Sequence, residues 1–282
     1  MKLLIDSGAT KSEYVIIDKD NVVFRYKNRG INISYCSDEE VKATFLDFIQ
    51  QLPEQTAGEI NAITYYGAGC GKPENSEKIY ASLITIFHNA DIQVYSDLLA
   101  ACHALCGTEP GWVAILGTGS ASCLYDGESI TNIPPSLGFM LGDEGSGTHL
   151  GKMFLTHYLS KKIPEKTVTL FEQETGVNRE KVMAKIYRES KPNQYMASIA
   201  QFLGHHQDEE CIRTICRDAF RDFFTNQLDH FGKQSMCENV NILGSVGFHF
   251  HDIVKEAAQH LNIRISKIIA APSDELIKFH NR

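Results

Sequence analysis

The chain has 282 residues, 43% of them hydrophobic and 22% charged, with a formal net charge of −8. That composition belongs to a globular protein of one large or two medium domains and excludes disorder or a collagen-like repeat as the main state. The mild acidity, with no long Lys/Arg run, argues against nucleic acid or an anionic membrane as partner; no stretch approaches the ~20 apolar residues of a membrane helix, and the apolar run Leu3–Ile5 stops at Asp6 before any signal-peptide core, so a cytoplasmic protein is expected.

Taken in chain order, Lys2–Asp6, Glu13–Asp18 and Val22–Tyr26 are apolar or β-branched runs separated by turn residues, which predicts three short strands. Residues 37–51 carry Val41, Phe45, Phe48 and Ile49 at helical spacing, with Ser37 as N-cap and Asp38–Glu40 where the helix dipole favours acids. Ile60–Tyr66 reads as a buried strand ending at Gly67-Ala68-Gly69, residues 74–89 as a helix, Ile92–Ser96 as a strand and Asp97–Leu105 as a helix. After a turn-rich break at Gly107–Gly111 the opening order returns: strand Trp112–Leu116, turn Gly117-Thr118-Gly119, strand Ser120–Tyr125, a short turn, strand Ser129–Ile133. A repeated βββ unit predicts two α/β halves, with a ligand at the carboxyl ends of their strands in a cleft between the copies.

Residues 146–231 read as several helices, whose stripes Leu155/Tyr158/Leu159, Met183/Ile186/Tyr187 and Ile212/Ile215/Ala219/Phe223 are expected in the core. Strand Val240–Leu243, a helix over 251–261 and strand Ile263–Ala270 follow. A closing helix Ser273–His280 stands behind Pro272, with Ser273 a candidate cap. The eight cysteines, at 36, 70, 102, 106, 123, 211, 216 and 237, form no CxxC pair and are expected as thiols. Cys102 and Cys106 share a helix face but lack the further soft ligands a metal site needs. The paired histidines His205-His206 and His249/His251 are expected at the surface or in packing.

Five segments could carry chemistry. In Asp6-Ser7-Gly8-Ala9-Thr10-Lys11-Ser12 a carboxylate ends a strand and small residues let the backbone approach an anion, although a plain hairpin turn explains the same residues. It is not a P-loop, because GxxxxGK[ST] is absent. Gly117-Thr118-Gly119-Ser120 occupies the matching place of the second copy, and two matched turns are more specific than one. Asp97, at a strand end and a helix start, could be a general base or a helix cap. The acids of Gly142-Asp143-Glu144-Gly145-Ser146-Gly147 could hold sugar hydroxyls or a hydrated Mg2+, or only cap the next helix. Gly244-Ser245-Val246-Gly247 could let adenine or ribose lie on the backbone, or be a strand-to-helix turn.

In this order the segments resemble the sugar kinase, heat-shock chaperone and actin superfamily. Within it they are similar to the N-acetylglucosamine kinase-like branch of the BadF/BadG/BcrA/BcrD ATPase family. The resemblance runs through DSGATKSEY, ITYYGAGCG (Ile63–Gly71), VYSDLLAA (Val94–Ala101), ILGTGS, LGFMLGDEGSG (Leu137–Gly147) and ILGSVG, and so spans nearly the whole chain. It implies an α/β fold of two RNase H-like (actin-like ATPase) domains with duplicated βββαβα cores and a cleft between them. The domains would span 1–109 and 110–282, with a helical insertion at about 146–235 and a last helix free to return to the N-terminal domain.

The implied activity is ATP-dependent phosphorylation of an amino sugar, most simply N-acetylglucosamine, with Asp97 as general base. Ser7, Gly8, Thr10, Lys11, Gly117, Thr118, Gly119 and Ser120 would surround the phosphates, Gly244, Ser245, Val246 and Gly247 the adenosine, and Gly30, Asn32, Gly69, Asp143 and Glu144 the sugar. Asp6 would hold Mg2+ through water. The implied partner is a small-molecule sugar, with a homodimer left open. Phosphoryl transfer needs mainly positioning and charge neutralisation, so this sparse set is sufficient. Two departures bear on specificity: Phe139 stands where relatives carry Trp-Gly, and APSDELIKFH lacks a Gly-Ala pair. The cysteine-rich zinc loop of ROK sugar kinases is missing, so no structural zinc is expected. An ATPase activator of a partner enzyme, with an iron–sulfur cluster on Cys123 or Cys102, and a non-catalytic ATP or sugar sensor are the alternatives.

Overall fold

The computed structural model describes residues 1–53, 55–232 and 239–281. Cys237, and residues 233–235 of the expected helical insertion, lie outside the described residues. The chain divides into two compact units, Met1–Gly107 with Pro272–Arg282, and Thr108–Ala271.

The first unit opens with β1 (Lys2–Ser7), β2 (Lys11–Asp18) and β3 (Asn21–Arg29), then α1 (Asp38–Gln50), the short α2 (Thr56–Glu59), β4 (Ala62–Gly67), α3 (Pro73–Ile84), β5 (Asp91–Ser96) and α4 (Asp97–Leu105). The sheet order is β3-β2-β1-β4-β5, with β4 and β5 parallel to β1 and β2 antiparallel to both β1 and β3. Alternation decides which side chains meet which helices. Leu3, Ile5, Ile63 and Tyr65 join Val41, Phe45 and Phe48 of α1 and Ile79 and Leu83 of α3 in one buried cluster. Ser37 caps α1 as expected, in a full capping box with Glu40.

The second unit runs through β6 (Gly111–Leu116), β7 (Ser120–Tyr125), β8 (Ile130–Asn132), the one-turn α5 (Gly138–Leu141), then α6 (Gly147–Leu159), α7 (Glu165–Thr175), α8 (Arg179–Tyr187), α9 (Pro192–His205) and α10 (Glu210–Phe231). It closes with β9 (Asn239–Leu243), α11 (Ser245–His249), α12 (His251–Gln259) and β10 (Arg264–Ile269). Its sheet order, β8-β7-β6-β9-β10, repeats that of the first unit strand for strand, parallel and antiparallel pairings included. The duplication expected from the sequence is therefore present in the topology. Trp112, Ala114 and Leu116 pack against Leu150, Phe154, Phe220 and Phe224 of the inserted helices, and the Trp112 indole N–H donates to Ser122 Oγ at 2.7 Å.

The chain ends in α13 (Ser273–His280), which belongs to the first unit. It is fixed there by polar contacts: the Tyr66 hydroxyl lies 2.7 Å from His103 Nδ1 and 3.0 Å from His280 Nε2. The Phe279 ring stacks on His103 with centroids 4.1 Å apart. Burial holds the His103 imidazole down at about 4, so it is neutral near pH 7.

Two local expectations are corrected. Ser273 is not the cap of α13; Pro272 takes that place, and the Ser273 hydroxyl donates to Glu13 Oε2 at 2.8 Å. On α8 the core position is Val182, whereas Met183 is 40% and Tyr187 74% exposed. The helix turns its stripe one residue back, so only Ile186 of the expected three packs on the core. The helix expected over 251–261 is present as α12, His251–Gln259, and the short α11, Ser245–His249, stands ahead of it with Phe250 between them. Among the described residues no helix is long and apolar enough to cross a membrane.

Candidate active site

In the first unit the parallel strands β1, β4 and β5 end in one row, Ser7 beside Gly67 beside Ser96. Asp97 follows immediately and opens α4. The helix cap itself is Ser96, whose hydroxyl accepts the Leu99 N–H at 3.2 Å, so Asp97 is not needed as the cap. Its Oδ1 accepts the adjacent Leu98 N–H at 3.0 Å, and the residue is partly exposed. Burial raises its carboxyl to about 6, with the Leu98 N–H opposing. Asp6 lies one row back on β1. Its carboxyl is pushed up to about 7, first by burial, then by the charges of Asp97 and Glu13, with Lys11 pulling the other way.

The first turn closes through a 3.0 Å bond from the Gly8 N–H to the Lys11 carbonyl, leaving Thr10 and Lys11 exposed. Ser7 departs from expectation: its side chain is fully buried, and its hydroxyl accepts the Ile31 N–H at 3.0 Å. It braces the loop after β3 and does not present its hydroxyl to a ligand. Gly30 is required for the same reason. A Cβ there would fall 2.1 Å from the Gly8 carbonyl oxygen and 2.5 and 2.6 Å from the Lys11 and Thr10 amide nitrogens. Asn32 and Gly69 meet as well. Asn32 and Ala68 form a lone parallel bridge, and a Cβ on Gly69, whose φ is +85°, would lie 2.9 Å from Asn32 Oδ1. Asn75 holds the pair from outside, its amide donating to the Gly69 carbonyl at 2.8 Å. The four residues Gly30, Asn32, Gly69 and Asp97 thus surround one end of the first unit's sheet.

In the second unit the turn Gly117–Gly119 joins β6 to β7, and all of Gly117–Ser120 is partly exposed. A Cβ on Gly119 would lie 3.1 Å from Asp143 Oδ2. The Asp143 carboxylate also accepts the Ser120 N–H; burial and the Glu144 charge raise its pKa, while that N–H and Lys152 oppose. Asp143 itself sits in the left-handed region at φ 58°, which aspartate enters more readily than most side chains. Sequence reading assigned Asp143 to the sugar and did not place it against the Gly117–Ser120 turn. Glu144 is partly exposed beside it.

The glycines of Gly244–Gly247 have a packing cause. A Cβ on Gly244, at φ +127°, would meet the Leu116 carbonyl oxygen at 2.3 Å, and one on Gly247 would meet Ile242 at 2.7 Å. Val246 and Gly247 are buried, while Gly244 and Ser245 keep solvent access. Two residues went unnoticed in the sequence. His149 is buried with its imidazole held down at about 4, and its Nδ1 accepts the Gly145 N–H at 3.2 Å, fixing the acidic loop. Thr148, beside it, is bonded to the second turn. A histidine and a threonine in the first turn of a helix carry no signal without the loop they touch.

Among the described residues no three His, Cys, Asp or Glu side chains form a metal cage. The Asp6 carboxylate, raised first by burial and then by the Asp97 and Glu13 charges, is nonetheless the kind of hard oxygen donor that Mg2+ uses when water and phosphate complete its shell. Cys102 and Cys123 are fully buried inside their units, which leaves neither placed for a cluster shared between subunits. The Cys70 thiol is pushed up to about 12 by burial and the Asp97 charge, so it is not a nucleophile.

Two equally wound sheets, each ending in a tight turn beside a carboxylate, define an actin-like ATPase fold. No protein-family profile matches the chain. The chain is 24% identical over 278 residues to the N-acetylmuramic acid/N-acetylglucosamine kinase of Clostridium acetobutylicum, across 94% of this chain and 91% of the relative. It superposes on the crystal structure of the "Putative N-acetylglucosamine Kinase" of Porphyromonas gingivalis with a TM-score of 0.94 and 30% identity, over 100% of this chain and 99% of that one. The chain belongs to the N-acetylglucosamine kinase-like family that this protein represents. A ROK-family glucokinase of Streptomyces griseus, solved with glucose and AMPPNP, shares the fold alone: 12% identity and a TM-score of 0.54, over 99% of this chain and 97% of that one.

Proposed function

We propose that this protein is an ATP-dependent kinase that phosphorylates an amino sugar, with N-acetylglucosamine the first substrate to test. The observation that carries the reading is Asp97: a partly exposed carboxylate at the strand ends, not used as a helix cap, with its pKa raised to about 6. A general base works best with its pKa near the operating pH. In this reading Asp97 takes the proton of the attacking sugar hydroxyl, and Gly30, Asn32, Gly69 and Asp143 set the sugar's orientation. Thr10, Lys11, Thr118, Gly119 and Ser120 hold the phosphates, and Gly244 and Ser245 bear on the adenosine. Bound Mg2+, held through Asp6 and water, would neutralise charge on the phosphates.

The test is ADP release by the pure protein over a panel of hexoses and hexosamines. N-acetylglucosamine or a close amino sugar should stimulate it, and Asp97→Asn should lower kcat by about 100–10,000-fold with ATP still bound. If no sugar stimulates ADP release and Asp97→Asn changes nothing, the reading fails.

A further inference from the structure

The second phosphate turn is mounted on a helix. The Gly147 N–H donates to the Gly117 carbonyl at 2.8 Å, and the Thr148 N–H donates to the Thr118 carbonyl at 3.1 Å. The Thr148 hydroxyl donates to that same carbonyl at 2.7 Å, and lies 3.3 Å from the Asn193 carbonyl. Thr148 is 1% exposed, so these bonds have no competition from water.

The consequence follows from the planarity of the peptide. In a trans peptide the C=O and the next N–H point in opposite directions. Fixing the carbonyls of Gly117 and Thr118 onto the start of α6 therefore turns the N–H groups of Thr118 and Gly119 away from α6, side by side. Two successive N–H groups aimed in one direction form an anion-binding concavity. The first amides of a helix carry its positive end. Here they face carbonyls, so the helix field reaches the concavity through the peptides between, each polarised by the bond behind it.

On the reading that the chain binds ATP, we propose that Thr148 is a positioning residue for the nucleotide phosphates: its buried hydroxyl locks the Thr118 carbonyl onto α6 and thereby aims the Thr118 and Gly119 amides at the phosphate. It touches no phosphate itself.

The test compares ATP, ADP and adenosine binding by calorimetry, with Mg2+ present, for the unsubstituted protein and three variants. Thr148→Ala removes one hydrogen bond, an effect of about 5–10-fold, so the dissociation constants for ATP and ADP should rise by about that factor while adenosine is unaffected. Thr148→Ser keeps the hydroxyl and should restore tight ATP binding. Thr148→Val places a methyl group where the hydroxyl stood 2.7 Å from the carbonyl, and should weaken ATP more than Ala does because it pushes the turn outward. The proposal is overturned if the Ala variant binds ATP like the unsubstituted protein. It is equally overturned if ATP and adenosine weaken together, which would mark a merely structural role. If the Ala and Val variants do not fold, the Ser variant decides, since ATP weakening there with adenosine unaffected would show that the hydroxyl is not what matters. An unsubstituted protein that binds neither ATP nor ADP would instead sink the kinase reading.

Discussion

Gly30→Ala is the sharpest structural perturbation the first unit offers. The added Cβ would stand 2.1 Å from the Gly8 carbonyl oxygen, 2.5 Å from the Lys11 nitrogen and 2.6 Å from the Thr10 nitrogen. All three are backbone atoms, so no side chain can rotate away. Carbon contacts are relaxed at about 3.5–4.0 Å, and the turn or the loop after β3 must therefore move by more than an ångström. Overpacking of this kind costs about 1–3 kcal/mol, and at roughly 2–4 °C per kcal/mol for a chain of this size the melting temperature should fall by about 2–12 °C. Because the displaced atoms are those of the first phosphate turn, the KM for ATP should rise as well. Gly58→Ala is the control: nothing lies within 4 Å of its Cβ, and it stands in the short helix α2, where alanine is the better residue. The measurements are thermal melting and steady-state kinetics. A Gly30→Ala protein with unchanged melting temperature and unchanged KM for ATP would refute the idea that the two backbones are wedged against each other.

The remaining predictions concern charge and the second unit. Asp97 must be ionised to accept a proton, so kcat/KM should fall as pH is lowered through about 6, and a profile flat across that range would exclude Asp97 as the base. Asp6 is held at about 7 against an ordinary 3.8, so the folded state binds the proton more tightly than the unfolded chain. That group's contribution to stability therefore declines as pH rises from about 4 to about 7. Asp6→Asn should accordingly melt higher than the unsubstituted protein at pH 8 and lose that advantage near pH 4. A bound cation should reverse the order, so Mg2+ with ATP should raise the melting temperature of the unsubstituted protein more than that of Asp6→Asn. Gly244→Ala combines a 2.3 Å approach to the Leu116 carbonyl with a φ of +127°, and should lower the melting temperature and reduce the soluble yield. An unaffected Gly244→Ala protein would show that the β9–α11 corner can relax.

The strand-and-turn order was legible because it rests on local chemistry. Alternating or buried apolar runs bounded by glycine and asparagine turns gave the three opening strands of both units, and Ser37 with Glu40 marked the start of α1. What escaped depends on distant partners. Nothing around Ser7 says that its hydroxyl faces inward to Ile31, and nothing around Ser273 says that Glu13, far away in the chain, takes its hydroxyl. The helical stripe of α8 was misplaced by one residue, because Val182, Met183, Ile186 and Tyr187 offer two overlapping apolar faces and only the neighbouring helices choose between them. The acidic loop was recognised as a whole, but the division of labour inside it was not. Asp143 meets the Gly117–Ser120 turn from a backbone at positive φ, which no residue pattern announces.

The two units share one topology, and the segment after the third strand props the phosphate turn in both. In the first unit the prop is a loop: Gly30 lies against the backbone of residues 8–11, and the Ile31 N–H bonds Ser7. In the second it is an acidic loop and a helix: Asp143 holds Ser120, while Gly147 and Thr148 hold the carbonyls of Gly117 and Thr118. The difference tracks the charges. The first turn has Asp6 and Lys11 beside it, and Asp97 at the end of β5 in the same unit, so its anion and metal chemistry can come from side chains. The second turn, Gly117-Thr118-Gly119-Ser120, contains no charged residue. On the proposed reading its attraction for a phosphate comes from backbone dipoles, which are effective only when rigidly aimed. A helix butted against its carbonyls supplies both the aim and the field. On that reading the helical insertion of the second unit serves the turn through Gly147 and Thr148 at the start of α6, and its later helices add to the core.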